Sequence, residues 1–112
     1  MENANVSFDS SSKTLTFVFR GRLNGDICIK NDPEIESAIE VALKENPPQT
    51  VSIIFDIGQV DYVSSLFLRV VITAAKKVAK GKFKLTGANP FVRKMIEMSG
   101  LDRLIFESSG QA

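Results

Sequence analysis

The stretch VSIIFDI, residues 51–57, decides the fold class of this chain. It is an almost continuous run of β-branched and other apolar residues. Such runs are typical of strands that are covered on both faces, as in a parallel sheet between helices. Because parallel strands need a long crossover connection, the neighbouring sequence should supply helices. The run therefore predicts an α/β protein.

The sequence before this run begins with a predicted hairpin. NVSF, residues 5–8, and TLTFVFRG, residues 14–21, have the composition or the period-two alternation of strands. SSSK, residues 10–13, is rich in residues that favour turns. An antiparallel hairpin next to a parallel strand makes the predicted sheet a mixed one.

A helix is predicted between the hairpin and the central strand. Residues 21–31 contain two glycines and little periodicity, so we expect them to be mostly loop. Asp32 is a candidate helix cap and Pro33 suits a first helical position. The prolines at 47 and 48 should end this helix.

The sequence after the central strand predicts further helices and one more strand. We expect a helix over 66–80 that stops at Gly81, a strand at 83–86, and a short helix from Asn89-Pro90 to Gly100. Residues 101–107 are compatible with an edge strand or a last helical turn, and residues 108–112 with a disordered tail. Residues 1–112 thus predict one domain, a mixed sheet with about three to four helices packed on it.

Composition excludes several functional classes. The chain has 112 residues, one cysteine (Cys28) and no histidine. A zinc site, an intramolecular disulfide and a nucleophile activated by histidine are therefore not expected. We expect no metal, no cofactor and no enzymatic activity; a lysine-assisted serine is left open, without a motif to support it. Cys28 is interpreted as a small, partly buried residue rather than a reactive thiol.

Charge and hydropathy point to a cytoplasmic protein. The net charge of +1 gives no bulk attraction to nucleic acid or to an anionic membrane. The N-terminus lacks a signal pattern, and no apolar run approaches the ~20 residues of a membrane helix. We therefore expect no direct contact with nucleic acid or membrane. The sequence leaves the choice between a monomer and a weak dimer open.

Two serines lie where the central strand should give way to the second long helix, in VDYVSSLFLRVV, residues 60–71. Serine is among the best helix caps, so Ser64 and Ser65 are candidates for that structural role. A helix N-terminus also stabilises anions, so a phosphate on a serine could form there without melting the helix. The residues alone support both interpretations.

The whole chain resembles the STAS domain family, the bacterial anti-sigma factor antagonists. The resemblance lies in the order and spacing of several short motifs. These are Gly21-Arg22-Leu23, IIFD (53–56), VDYVSSLFLRV (60–70), FKLTG (83–87), NPFV (89–92) and MSGLD (98–102).

The resemblance implies a function as a phosphorylation switch. In that family an anti-sigma factor that is also a serine kinase phosphorylates a serine at the start of the second helix. The unphosphorylated domain binds this kinase and frees the sigma factor, and a serine phosphatase reverses the modification. The phosphorylated position falls on Ser65, or less directly on Ser64. The implied partner-binding residues are Asp56, Asp61, Ser64, Leu66 and Phe67.

The chain departs from the family beside this serine. Relatives usually have a small residue and then glycine, where this chain has Leu66 and Phe67. Phe67 either packs into the protein or alters docking; the leading mechanism expects both side chains to be exposed or half-exposed. The alternative function is that of a non-phosphorylated STAS scaffold or an accessory subunit of a sensory complex or transporter.

Overall fold

A four-stranded mixed sheet, in the order β1-β2-β3-β4, is the centre of the fold in the computed structural model, which describes residues 1–100. The strands are β1 (Ala4–Asp9), β2 (Thr14–Leu23), β3 (Ser52–Val63) and β4 (Phe83–Thr86). β1 and β2 pair antiparallel, whereas β3 pairs parallel with both β2 and β4. The predicted mixed sheet with an N-terminal hairpin is confirmed.

Three helices accompany the sheet within residues 1–100. They are α1 (Gly25–Glu45), α2 (Ser65–Ala75) and α3 (Pro90–Met98), and a single 3₁₀ turn spans Pro48–Thr50. Asn89 caps α3 by accepting the amide hydrogen of Val92 at 2.8 Å, as the Asn-Pro pair predicts. No helix in this part of the chain has the length and apolarity needed to cross a bilayer.

Phenylalanines fill the core between the helices and one face of the sheet. Alternate residues of β2 and β3 point into it, and the ring centroids of Phe19 and Phe55 lie 5.0 Å apart in an edge-to-face arrangement. On the opposite face Ile54 and Val18 are only half-buried. The cover expected on both faces of the 51–57 strand is therefore complete on one face only.

The first helix begins earlier than predicted. It starts at Gly25, not at Asp32, because Asn24 supplies the cap: its Oδ1 accepts the amide hydrogen of Ile27 at 3.0 Å. Pro33 lies inside α1. The backbone carbonyl that loses its helical partner there belongs to Ile29, a residue that is 64% exposed. The prediction that 21–31 is mostly loop is wrong.

The central strand and the second helix also differ from the predicted bounds. β3 continues to Val63 because β2 pairs with it as far as Leu23, through two shifts of register. Residues 58–63, which follow the predicted 51–57 strand, are therefore strand as well. α2 ends at Ala75, so the prediction that this helix continues to residue 80 is wrong. The predictions for 101–107 and 108–112 lie outside the described residues.

Candidate phosphorylation and partner-binding site

Two strands end and two helices begin at one corner of the molecule. β2 ends at Leu23 and β3 at Val63, and these residues are paired in the sheet. The amide of Ser64 donates a hydrogen bond to the carbonyl of Leu23 at 3.0 Å. The N-termini of α1 and α2 therefore lie side by side at the carboxyl ends of two parallel strands, the position where α/β sheets commonly carry their ligand sites.

Ser64 is the cap of α2. Its Oγ accepts the amide hydrogen of Phe67 at 3.3 Å, and its carbonyl accepts that of Leu68, also at 3.3 Å. Its backbone is extended, with φ −93° and ψ 169°, as a cap residue requires. The capping interpretation of the serine pair therefore applies to Ser64.

Ser65 is the first residue of α2, and its side chain does not cap the helix. It is exposed, and within residues 1–100 no group forms a hydrogen bond with its hydroxyl. α2 carries no acidic residue in its first turn. Arg69, also exposed, follows one turn later, and helical side chains lean toward the N-terminus. A negative charge on Ser65 would thus meet favourable partial and full positive charges.

Phe67 packs into the core. It is 1% exposed, and its ring centroid lies 5.2 Å from that of Phe19 and 6.0 Å from that of Phe55. The expectation that Phe67 is exposed or half-exposed is wrong, and the other alternative, inward packing, holds. The aromatic ring fills space behind the helix start, so it does not occupy the surface that a partner must approach.

Leu66 and Arg69 border a groove between α1 and α2. Leu66 is half-buried, and a Cβ added at Gly25 would lie 3.3 Å from its Cδ1, so the two helix starts are in close contact. Exposed Ile29 and half-buried Val70 extend this apolar surface along the groove. Asp32, Glu36 and Thr73 line it as well.

Asp56 lies far from the serine pair. It pairs in the sheet with Val18 on one side and Thr86 on the other, seven residues before Val63, or about 23 Å along the strand. Its Oδ1 accepts the amide hydrogen of Gly58 at 2.9 Å. The structure thus gives Asp56 a local role in shaping β3 and does not bring it to Ser65, contrary to the expectation from sequence.

Asp61 is exposed near the end of β3, two residues before Val63. Next to it, the guanidinium of Arg22 lies 4.4 Å from the ring centroid of Tyr62, in a cation–π contact across the β2–β3 pair. Sequence reasoning missed Arg22 and Tyr62 as neighbours of the serines. Each of the two residues directly precedes one of the paired strand ends Leu23 and Val63, but that pairing is not evident from the sequence.

Cys28 connects the two helix starts. Its Sγ lies 3.7 Å from Oγ of Ser64 and 3.8 Å from the carbonyl oxygen of Leu23. Burial raises the pKa of the Cys28 thiol, and the charge of Asp32 adds to the effect, while the contact with Ser64 opposes it. The thiolate is therefore disfavoured, which supports a structural interpretation of this cysteine.

This chain belongs to the STAS domain family, since residues 15–112 match the profile of the STAS domain. A curated relative from Bordetella bronchiseptica, named "Putative anti-sigma factor antagonist BtrV", is 31% identical over 80 residues. The match includes 70% of this chain and spans 66% of the length of that relative.

Solved structures share the fold at low sequence identity. The unphosphorylated form of the anti-sigma factor antagonist SpoIIAA superposes with a TM-score of 0.70 and 19% identity, covering 91% of this chain and 84% of that one. The phosphorylated form of SpoIIAA, a Bacillus cell fate determinant, gives 0.64 and 18% over 91% and 87%. An anti-sigma factor antagonist from Mycobacterium paratuberculosis gives 0.65 and 20% over 91% and 80%. These similarities establish a single α/β architecture of the SpoIIAA type, as the sequence predicts.

Proposed function

We propose that this protein is an anti-sigma factor antagonist that is switched by phosphorylation at Ser65. The observation that carries the proposal is that two adjacent serines have different structural roles. Ser64 caps α2, and Ser65 presents at the same helix start an exposed hydroxyl that has no hydrogen-bond partner among residues 1–100. A kinase can modify Ser65 while the cap stays intact.

The relatives supply the class of partner. Their names give them as anti-sigma factor antagonists, and one SpoIIAA structure is of a phosphorylated form. We infer that the partner here is an anti-sigma factor with serine kinase activity, and that a serine phosphatase restores the binding form. The protein acts as a substrate and binding module in the cytoplasm, without a catalytic site, metal, cofactor or contact with nucleic acid or membrane of its own.

The docking surface that we propose surrounds Ser65. Leu66 and Ile29 provide apolar area, Asp61 and Arg69 provide charge, and Ser64 lies at the edge. Phe67 supports this surface from below and makes no contact of its own, and Asp56 lies outside it. The set of partner-binding residues is thus smaller than the sequence implies.

Phosphorylation would release the partner electrostatically. A phosphate on Ser65 adds between one and two negative charges at pH 7. In a bound complex that charge would be taken out of water, and an uncompensated buried charge strongly disfavours association. In the free protein the same phosphate stays solvated and is favoured by the helix start and by Arg69. The modified form is therefore stable but cannot dock.

The alternative, a scaffold that does not depend on phosphorylation, would be favoured by a bulky side chain at position 67 that altered docking. Because Phe67 is buried, that residue no longer alters the docking surface. The alternative remains as a distinct outcome of the experiment below.

Affinity capture from lysate of the native host tests the proposal with four baits: wild type, Ser65→Ala, Ser65→Glu and Ser37→Glu. Ser37 is an exposed serine on α1, so its variant adds the same charge away from the corner. We expect wild type, Ser65→Ala and Ser37→Glu to retain a serine kinase, and Ser65→Glu to lose it. Equal retention of one partner by all four baits would identify a constitutive scaffold. Incubating the captured kinase with ATP should then phosphorylate wild type and leave Ser65→Ala unmodified.

A further inference from the structure

Among residues 1–100, nothing pairs with the outer edge of β1. β1 is the first strand in the order of the sheet, so only β2 pairs with it in the described part of the chain. The amide of Arg20 donates to the carbonyl of Asn3 at 2.8 Å, so that carbonyl points toward β2. Because backbone groups alternate along a strand, the N–H and C=O groups of Val6 and Phe8 point away from β2. They form a row of unpaired donors and acceptors.

The side chains of these two residues are apolar and lie on the core face. Val6 is opposite Phe17 and Phe8 is opposite Leu15, both of which are buried. Val6 and Phe8 are nevertheless 41% and 38% exposed, because the helices do not reach the edge of the sheet. An open cleft separates β1 from α1 there. The apolar core face thus continues to an uncovered edge.

The edge also lacks the usual protection. Within Ala4–Asp9 there is no proline and no lysine, and the pairing of β1 with β2 runs without a bulge. Natural edge strands commonly carry one of these features, which prevent pairing with another strand. Val6 and Phe8, whose backbone groups point away from β2, have no charged side chain either.

We propose that β1 pairs antiparallel with β1 of a second copy of this chain, about a two-fold axis at Ser7. Val6 then lies opposite Phe8 of the second copy, and Phe8 opposite its Val6, in hydrogen-bonded pairs that satisfy all of their outward backbone groups. Pairs of aromatic and β-branched side chains are favourable across strands.

The other face of the strand is self-complementary in the same register. Ser7 lies opposite Ser7 of the second copy, and Asn5 opposite Asp9, so no two like charges oppose each other. A register centred on Val6 would need the backbone of Ala4, which is 1% exposed and so already covered. A register centred on Phe8 would oppose Val6 to Ser10, a turn residue, and lose the apolar pair. The Ser7 register is the one that the exposed residues fit.

The pairing joins the two sheets into one and leaves the Ser65 corner free. The axis lies beside the outermost strand β1, between the two copies, whereas Ser65 follows β3, which lies between β2 and β4 in the sheet. The dimer therefore presents two docking surfaces at once, and it does not depend on the proposed function of Ser65. Since the contact is short, we expect association to depend on protein concentration.

Engineered cysteines test the register. At a non-hydrogen-bonded pair the Cα atoms are about 4.5 Å apart, within the range that a disulfide spans. Ser7→Cys should therefore cross-link to its own copy under mild oxidation. Asn5→Cys, on the same exposed face, is the matched control: its two copies would be about 14 Å apart, too far for a disulfide. The native Cys28 is buried and should not compete.

We expect the disulfide-linked dimer of Ser7→Cys to form at least about tenfold faster than that of Asn5→Cys, as followed on non-reducing gels. Equal rates, or no cross-linking of Ser7→Cys, would overturn the proposal. Sedimentation velocity gives a second measurement: Val6→Lys should remain monomeric at concentrations where wild type and Val41→Lys associate. Val41 is 53% exposed on α1, so it controls for the added charge, and thermal melts followed by circular dichroism check that both variants fold. A wild-type protein that stays monomeric at every concentration would likewise contradict the inference.

Discussion

The Sγ atom of Cys28 on α1 lies 3.7 Å from Oγ of Ser64, the cap of α2. One contact therefore joins the start of the two helices that flank the candidate site. The serine that takes part in it is the capping one, and its neighbour Ser65 stays outside this network. The two serines should therefore differ in what they contribute to stability.

Ser64→Ala should lower the free energy of unfolding by about 1 kcal/mol, because the amide of Phe67 loses its partner. Ser65→Ala should change it by less than about 0.5 kcal/mol, since an exposed hydroxyl without a partner is removed. Urea denaturation of the two variants measures the difference. Equal losses would mean that the two serines share the cap.

Ser65→Glu should be more stable than Ser65→Gln by about 0.3–1 kcal/mol at low salt, because a carboxylate in the first turn interacts favourably with the helix dipole. Arg69, one turn later, should add to the effect. The difference should shrink in high salt, which screens exposed charges. Denaturation of both variants at two salt concentrations checks this, and Arg69→Gln in each background isolates the part due to Arg69.

Phe67→Ala should lower the free energy of unfolding by about 3–5 kcal/mol, the range for removing a buried aromatic ring. Leu66→Ala, at the half-buried neighbouring position, should have a smaller effect on stability and a larger one on partner binding. Denaturation and the capture experiment together measure both quantities. A stable Phe67→Ala protein that no longer binds would contradict the supporting role of Phe67.

Gly87→Ala should destabilise the protein more than Gly81→Ala does. Both glycines have positive φ values, 83° and 85°, so both substitutions add backbone strain of about 1–2 kcal/mol. Only at Gly87 would the new Cβ meet a neighbour, 2.9 Å from the Cα of Gly58 in β3, whereas a Cβ at Gly81 meets nothing within 4 Å. The difference between the two variants in urea denaturation therefore measures the close approach of the two glycines, and equal losses would show that the backbone yields there.

Stability should depend on Cys28 at alkaline pH. Burial raises the pKa of this thiol in the folded state, so the neutral form contributes stability that is fully present below the pKa of an unfolded cysteine, about 8.5. As the pH rises through the folded value, that contribution is lost. The difference in unfolding free energy between wild type and Cys28→Ala should be constant near pH 7 and decline above about pH 8.5. A difference that stays constant to high pH would contradict the raised pKa.

Local signals explain which parts of the fold could be predicted. Asn89 and Pro90 lie next to each other, so the start of α3 follows from two residues. The start of α1 does not: its cap, Asn24, precedes a glycine, and the buried face of its first turns uses Cys28 and Asn31, which an apolar periodicity does not detect. Because proline suits a first helical position, Pro33 led to the wrong predicted start of this helix at Asp32. The end of β3 depends on pairing with Leu23, a distant partner that the segment itself does not reveal.

The candidate site was predicted in composition but not in detail. The serine pair and Leu66 lie at the start of α2 and Asp61 near the end of β3, whereas Asp56 lies farther back along β3 and Phe67 is buried. Ser64 rather than Ser65 is chosen as the cap of α2, and Phe67 lies on the buried side of that helix. Such a choice follows from the hydrogen bonds at the helix start, and the spacing of residues alone does not determine it.

The contact between Arg22 and Tyr62 makes the protein its own optical probe. Tyr62 is the only tyrosine, and the chain has no tryptophan, so its ultraviolet emission arises almost entirely at the corner where α2 begins. A molecule that lacks tyrosine and tryptophan and binds at that corner would change the fluorescence of Tyr62, so binding could be followed without an attached label.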